Sequence, residues 1–187
     1  HMLGDDRPCL VRLLHQVLAS GDVVMCCGGI GATPDDHTRQ AAAAAAGVEL
    51  VMHPVARNLI EQRMQEQAQQ KGQAFDPLHP DNVQRLQMAM LPAHAHIIPN
   101  PYNRIAGFSV GHVHFFPGFP VMAHPMIAWV LDHFYARWQN MRDWSEQALI
   151  VKNASEATLT PLMESLETRW PAIRIFSLPS VDHPVHG

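Results

Sequence analysis

The sequence predicts an α/β domain, and three observations carry that prediction. A continuous apolar run, Val23, Val24, Met25, Cys26 and Cys27, ends in Gly28-Gly29-Ile30-Gly31 and is followed by an alanine-rich helical stretch. Short apolar runs alternate with helix-period segments along the chain, the pattern of strands and helices packed in layers. Nearly half of the 187 residues are hydrophobic (47%), enough to fill one sizeable core.

The elements follow in order. Leu10, Val11, Leu13, Leu14, Val17 and Leu18 recur at helical spacing. Asp6 suits the N-cap of that helix, Pro8 its first turn and Gly21 its end. Residues 23–27 form a buried strand. Residues 38–47 form a helix whose six alanines allow close packing on a sheet, and Gly47 closes it. Residues 49–53 are short and apolar at their centre. Residues 54–71 read as a helix with Val55, Leu59, Ile60 and Met64 on one side. After a loop, Asp81 is the N-cap of a helix over 82–90 that Leu91-Pro92 stops. Residues 95–99 are a short strand. Residues 108–110 and 113–116 make a hairpin about Gly111-His112. A rigid Pro117-Gly118-Phe119-Pro120 loop leads into a long helix over 121–141, with Met122, Met126, Trp129, Val130, His133, Phe134 and Trp138 inward. Residues 148–152, 155–170 and 173–176 read as strand, helix and strand. The domains expected are 3–140, a small β-α-β lobe at 146–178, and a tail at 179–187.

Composition narrows the function. The net charge is −4 and no basic run or basic–aromatic stripe appears, which argues against a nucleic-acid partner. Three cysteines, two of them adjacent in an apolar strand, read as a reduced cytoplasmic protein. No apolar segment is long enough to span a membrane, and no signal peptide is visible. The thirteen histidines are an excess. His94/His96 and His112/His114 are spaced for one strand face, but no zinc motif frames them, and they read as surface or capping residues.

The functional signal lies at residues 28–38. A buried strand delivers the chain to a tight turn at the carboxyl end of a sheet, where ligands bind in open α/β folds. Glycines allow close backbone approach and positive φ. Several amides and a helix N-terminus then face one point, which suits a phosphate. Asp35, Asp36, His37 and Thr38 each could cap the next helix, but one cap needs one residue. The surplus points to a site.

The stretch Gly28-Gly29-Ile30-Gly31-Ala32-Thr33-Pro34-Asp35-Asp36-His37-Thr38 is similar to the signature loop of the molybdopterin-binding (molybdenum cofactor biosynthesis) fold. It most resembles the competence/damage-inducible protein A branch, where glycine-glycine-x-glycine-x-threonine-x-aspartate-aspartate-x-threonine is typical. Gly4-Asp5-Asp6 resembles that branch's upstream loop. Asn100-Pro101 with Gly107-Phe108, and Pro117-Gly118-Phe119-Pro120, resemble its downstream loops in the same order. The likeness covers residues 3–134, and residues 148–176 resemble the small domain that follows.

The resemblance implies a three-layer α/β/α sandwich with a mostly parallel sheet and a small C-terminal β-α-β lobe. It implies a pocket for a pterin or nucleotide carrying phosphate, lined by Gly28, Gly29, Gly31, Thr33, Thr38, Asn100 and Gly118. Asp36 and Asp5 take the positions of acidic residues that assist metal binding or phosphoryl chemistry with Mg²⁺ or Co²⁺. Two activities follow from the family: metal-dependent hydrolysis of ADP-ribose-type pyrophosphates, or non-catalytic binding of molybdopterin or a nucleotide by a homo-oligomer, a dimer or trimer. Two departures are expected. The strand-helix-strand unit that precedes the Gly4 loop in the family is not seen here, and neither is the C-terminal amidase domain of many relatives. Nicotinamide-nucleotide amidase activity is therefore not implied.

Overall fold

Helix α1 (Arg7–Ser20) begins where the Asp6 Oδ1 accepts the Cys9 amide at 2.7 Å, and ends at Gly21 with φ 78°. The computed structural model describes residue 4, residues 6–139 and residues 145–178. It divides into two units, His1–Gln139 and Asn140–Gly187.

In the first unit α1 leads to β1 (Val24–Cys27), the glycine loop and α2 (Thr38–Ala46). Then come β2 (Leu50–Met52), α3 (Pro54–Gln70), α4 (Pro80–Leu86), β3 (Met90–Pro92), β4 (His96–Ile98), β5 (Gly107–Val110), β6 (Val113–Phe116) and α5 (Pro120–Phe134). The main sheet has the order β1-β6-β5-β4, and β2 pairs with β3 in a separate ribbon. β1 is parallel to β6, while β5 is antiparallel to both β6 and β4. Three of the four strands thus run the same way. The reversed one, β5, is half of the hairpin legible at Gly111, whose φ of 57° lets the chain turn.

The register aligns one row across the carboxyl ends: Cys27 faces Phe116, and Ile98 faces Gly107 on the other side of the hairpin. Three loops leave from this row, after Cys27, after Phe116 and after Ile98.

Side chains alternate across β6 as the pleat requires. Val113 and Phe115 enter a core with Leu14, Ala41, Ala42, Ile60 and Met64 from α1, α2 and α3. Phe116 enters another with Met122, Met126 and Val130 from α5. Helices therefore cover both faces, giving the α/β sandwich. Phe108 stacks on Phe115 with ring centroids 4.5 Å apart.

Three expectations need correction. The helix expected over 82–90 is α4, which starts at Pro80 with His79 as N-cap, its Nδ1 accepting the Asp81 amide at 3.3 Å. Pro80 presets the first-turn φ, so the helix begins earlier, and Leu91-Pro92 belongs to β3 because pairing with β2 buries it. The long helix over 121–141 stops at Phe134. Tyr135 leaves helical φ/ψ and its hydroxyl meets the His114 Nε2 at 2.6 Å. His133 and Phe134, within the helix, and Trp138, beyond it, are exposed rather than inward.

In the second unit α6 (Glu156–Arg169) forms as expected, with the Ser155 hydroxyl accepting the Thr158 amide. The flanking segments 148–152 and 173–176 show no strand pairing among the described residues. Leu149 is 88% exposed, so this stretch gains little burial from pairing, and the Ile175 amide donates to the Glu167 Oε1 instead. The expected tail, 179–187, lies outside the described residues.

Candidate functional site

The 28–38 loop is organised from beneath by two adjacent residues at the start of α2. The Thr38 amide donates to the Gly29 carbonyl at 3.0 Å, and the Thr38 hydroxyl donates to the Gly28 carbonyl at 3.1 Å. Arg39 Nη2 donates to the Gly31 carbonyl. Three carbonyls are thereby drawn toward the protein. No peptide bond among the described residues is cis. In a trans peptide the carbonyl and the following N–H point in opposite directions, so the amides of Gly29, Ile30 and Ala32 are directed away from those donors. None of the three has a backbone acceptor among the described residues.

Glycine is required here by conformation and by space. Gly28 and Gly29 have φ of 102° and 68°. A Cβ on Gly29 would overlap the Thr38 hydroxyl, whereas one on Gly28 would meet nothing within 4 Å. Open space therefore lies alongside Gly28. The loop after β6 closes one side of it: a Cβ on Gly118 would lie 3.5 Å from the Gly28 Cα. The Gly28 amide donates to the Phe116 carbonyl at 2.9 Å, tying the two loops at their roots.

Asp36 turns back onto its own loop. Its Oδ2 accepts the Thr33 amide at 2.9 Å and also the Thr33 hydroxyl. Partial burial opposes its ionisation, but the Thr33 hydroxyl and amide, the Gly31 amide and the charge of Arg39 together hold its carboxyl below the usual range. A carboxyl so held is a fixed negative charge and a weak base at neutral pH. His37 occupies the N-cap position of α2 without a side-chain cap bond. Of the four polar residues read as a surplus, Asp36 and Thr38 bond within the loop.

The structure brings together Gly28, Gly29, Gly31, Thr33, Asp36, Thr38 and Gly118. Asn100 is placed otherwise. It follows β4, two strands from β6, so its root is about 10 Å from that of the Gly118 loop. Its amide group donates to the Asn103 Oδ1 at 2.8 Å and the Ile105 carbonyl at 3.0 Å, and its Oδ1 accepts the Tyr102 amide. Both amide protons are spent shaping its own turn. Asp5 lies outside the described residues.

Sequence reasoning missed Arg39. A cation in the first turn of a helix opposes the helix dipole, and that was the available signal. Arg39 is 3% exposed, and its Nη1 reaches the Gln87 and Met90 carbonyls. The strand-spaced histidines also have distinct places. His112 Nε2 lies 3.3 Å from the Val17 carbonyl, and His114 Nδ1 lies 2.7 Å from the Ser109 hydroxyl. Among the described residues no three His, Cys, Asp or Glu side chains could hold a metal ion.

Comparison with known proteins identifies the family. The family model of the probable molybdopterin binding domain matches residues 1–136. A CinA-like protein of Geobacter sp. (strain M21) is 31% identical over 169 residues, covering 86% of this chain and 37% of that protein. One from Citrifermentans bemidjiense is 32% identical over 165 residues, with 86% and 37% covered. The chain thus spans well under half the length of these relatives. The crystal structure of CinA from Thermoplasma acidophilum, described as of unknown function, is similar with a TM-score of 0.54 and 26% identity. That likeness covers 68% of this chain and 71% of the other.

Proposed function

Because the chain belongs to the molybdopterin-binding domain family, in its CinA-like branch, we propose that the 28–38 loop anchors the phosphate of a nucleotide or pterin ligand. The observation that carries this reading is the inward fixing of the Gly28, Gly29 and Gly31 carbonyls by Thr38 and Arg39. It leaves the Gly29, Ile30 and Ala32 amide dipoles pointing away from those donors, an arrangement suited to an anion. The N-terminus of α2, uncapped by a side chain, adds its own positive end.

The finer reading is metal-dependent hydrolysis of ADP-ribose-type pyrophosphates. Asp36 fits it as an ionised carboxylate but not as a general base. Among the described residues no group of three or more potential ligand side chains gathers around Asp36. Mg²⁺ or Co²⁺ would therefore arrive shared with the ligand's own phosphate oxygens, the usual habit of Mg²⁺. The alternative is binding without turnover, and the engagement of Asp36 by Thr33 favours it. Homo-oligomerisation belongs to that alternative: half-exposed Leu131, Phe134 and Trp138 offer apolar surface to a second copy, which light scattering would test.

Two assays decide between these. A ligand that binds only the folded protein raises its melting temperature. ADP-ribose, FAD, AMP and ATP, each with and without Mg²⁺ or Co²⁺, are expected to do so, and Gly29→Ala to abolish the effect. Release of AMP from ADP-ribose with metal, lost in Asp36→Ala, would establish hydrolysis. A ligand shift without AMP release establishes the binding module. No shift with any of the four refutes the phosphate site.

A further inference from the structure

We propose that Arg39 is a positioning residue whose buried charge answers the charge of the anionic ligand, acting through the Gly31–Ala32 peptide. The inference rests on the phosphate reading above and deepens it by naming the source of its selectivity for anions.

Three observations carry it. Arg39 is almost fully buried, yet no carboxylate forms an ion pair with it among the described residues. A buried cation is ordinarily paired, because desolvating a charge without a partner is costly. Its Nε is buried with no hydrogen-bond partner. The partners it does have are carbonyls: Gly31 in the loop, and Gln87 and Met90 at the entry to β3. Carbonyl dipoles solvate the guanidinium, and Asp36, near enough to feel its charge but not in ion-pair contact with it, offsets that charge only in part.

That charge lies directly beneath the loop. By holding the Gly31 carbonyl, the guanidinium polarises the Gly31–Ala32 peptide, and the Ala32 N–H on the opposite side becomes a stronger donor. The guanidinium never touches the ligand. It sets the peptide's direction, strengthens its dipole, and supplies a positive field in a region of low dielectric. Because the same group grips Gln87 and Met90, the loop is also locked to the segment that enters β3. Lysine at this position would keep the charge but lose the fork that serves three carbonyls at once.

The test uses inorganic pyrophosphate as the probe, which removes any contribution from a base or pterin ring. Calorimetry on the whole chain compares the wild type with Arg39→Met and Arg39→Lys. Arg39→Met is expected to weaken pyrophosphate at least tenfold, and Arg39→Lys to recover part of that loss. In the wild type, the Arg39 Nε–H resonance is expected to shift as pyrophosphate saturates the loop, a readout that a purely structural role would not move. Binding by folded Arg39→Met within twofold of the wild type overturns the inference. So does an unmoved Arg39 resonance at saturation, which keeps the question decidable if the variants do not fold. Failure of the wild type to bind pyrophosphate at all would overturn the phosphate reading itself, and the role of Arg39 with it.

Discussion

Replacing Gly29 with alanine tests the geometry of the loop most directly. Two costs can be worked out from the structure. The φ of 68° places an added Cβ in the left-handed region, at about 1–2 kcal/mol. The same Cβ would overlap the Thr38 hydroxyl and lie 3.2 Å from the Thr38 Cβ. Relief requires the hydroxyl to rotate away, which breaks its 3.1 Å bond to the Gly28 carbonyl and costs about 1 kcal/mol more. Gly29→Ala should therefore destabilise the first unit by roughly 2–3 kcal/mol, within the range of a strained backbone plus a lost hydrogen bond. Thr38→Ala alone should cost about 1 kcal/mol. In the Thr38→Ala background the overlap with the hydroxyl is gone, so adding Gly29→Ala should cost the backbone part and the milder 3.2 Å contact with the Cβ at position 38. The double-mutant cycle should then show a coupling of about 1 kcal/mol. Urea unfolding of the four proteins measures it. Additive costs, or a Gly29→Ala penalty under about 0.5 kcal/mol, would refute the claim that Thr38 holds the loop from below.

Further outcomes follow from other residues. Asn100→Ala should destabilise by about 1–3 kcal/mol, because its loop loses several internal bonds at a buried position. It should leave pyrophosphate affinity within twofold, so a large affinity loss would restore Asn100 to the site. His114 is 1% exposed, and burial, with His112 second, lowers its pKa from 6.5 to about 4. The unfolded chain then takes up this proton first as pH falls. The stability His114 contributes is present above pH 6.5 and is lost progressively toward pH 4, about 2 kcal/mol of it by pH 5. The pH dependence of urea unfolding should weaken by that amount in His114→Gln, and a parallel decline in both proteins would sink the assignment. Thr33→Val removes the hydroxyl that donates to Asp36, so the carboxyl should titrate at higher pH by NMR, and an unchanged titration would show that the hydroxyl does not stabilise the charge.

Much of the fold could be read because its signals are local. The Asp6 cap, the Gly21 and Gly47 ends and the Gly111 hairpin each depend on residues within a few positions. The seven residues gathered at the loop were legible for the same reason, since six of them fall within eleven consecutive positions and Gly118 lies in a motif of its own. What could not be read depends on distant partners. Arg39 meets Gln87 and Met90 about fifty residues away, and nothing near Arg39 in sequence announces them. α5 ends at Phe134 because Tyr135 finds His114, a tertiary bond that overrides helical periodicity. The segment at 148–152 has strand composition, but composition cannot supply a neighbouring strand.

The shared row of Cys27, Phe116, Gly107 and Ile98 has a consequence for how such a protein can change. The three loops that rise from it are separate stretches of chain, so each can be lengthened or recomposed without redrawing the others. Their common footing offers no such freedom. A side chain at Gly107 would run into the Phe115 carbonyl and the Met126 methyl group, and a shift there would be felt by every loop at once. New ligand preferences should therefore accumulate as exchanges among loops, at positions such as exposed Phe119. Innovation is confined to the rim by a foundation that cannot be moved piecemeal.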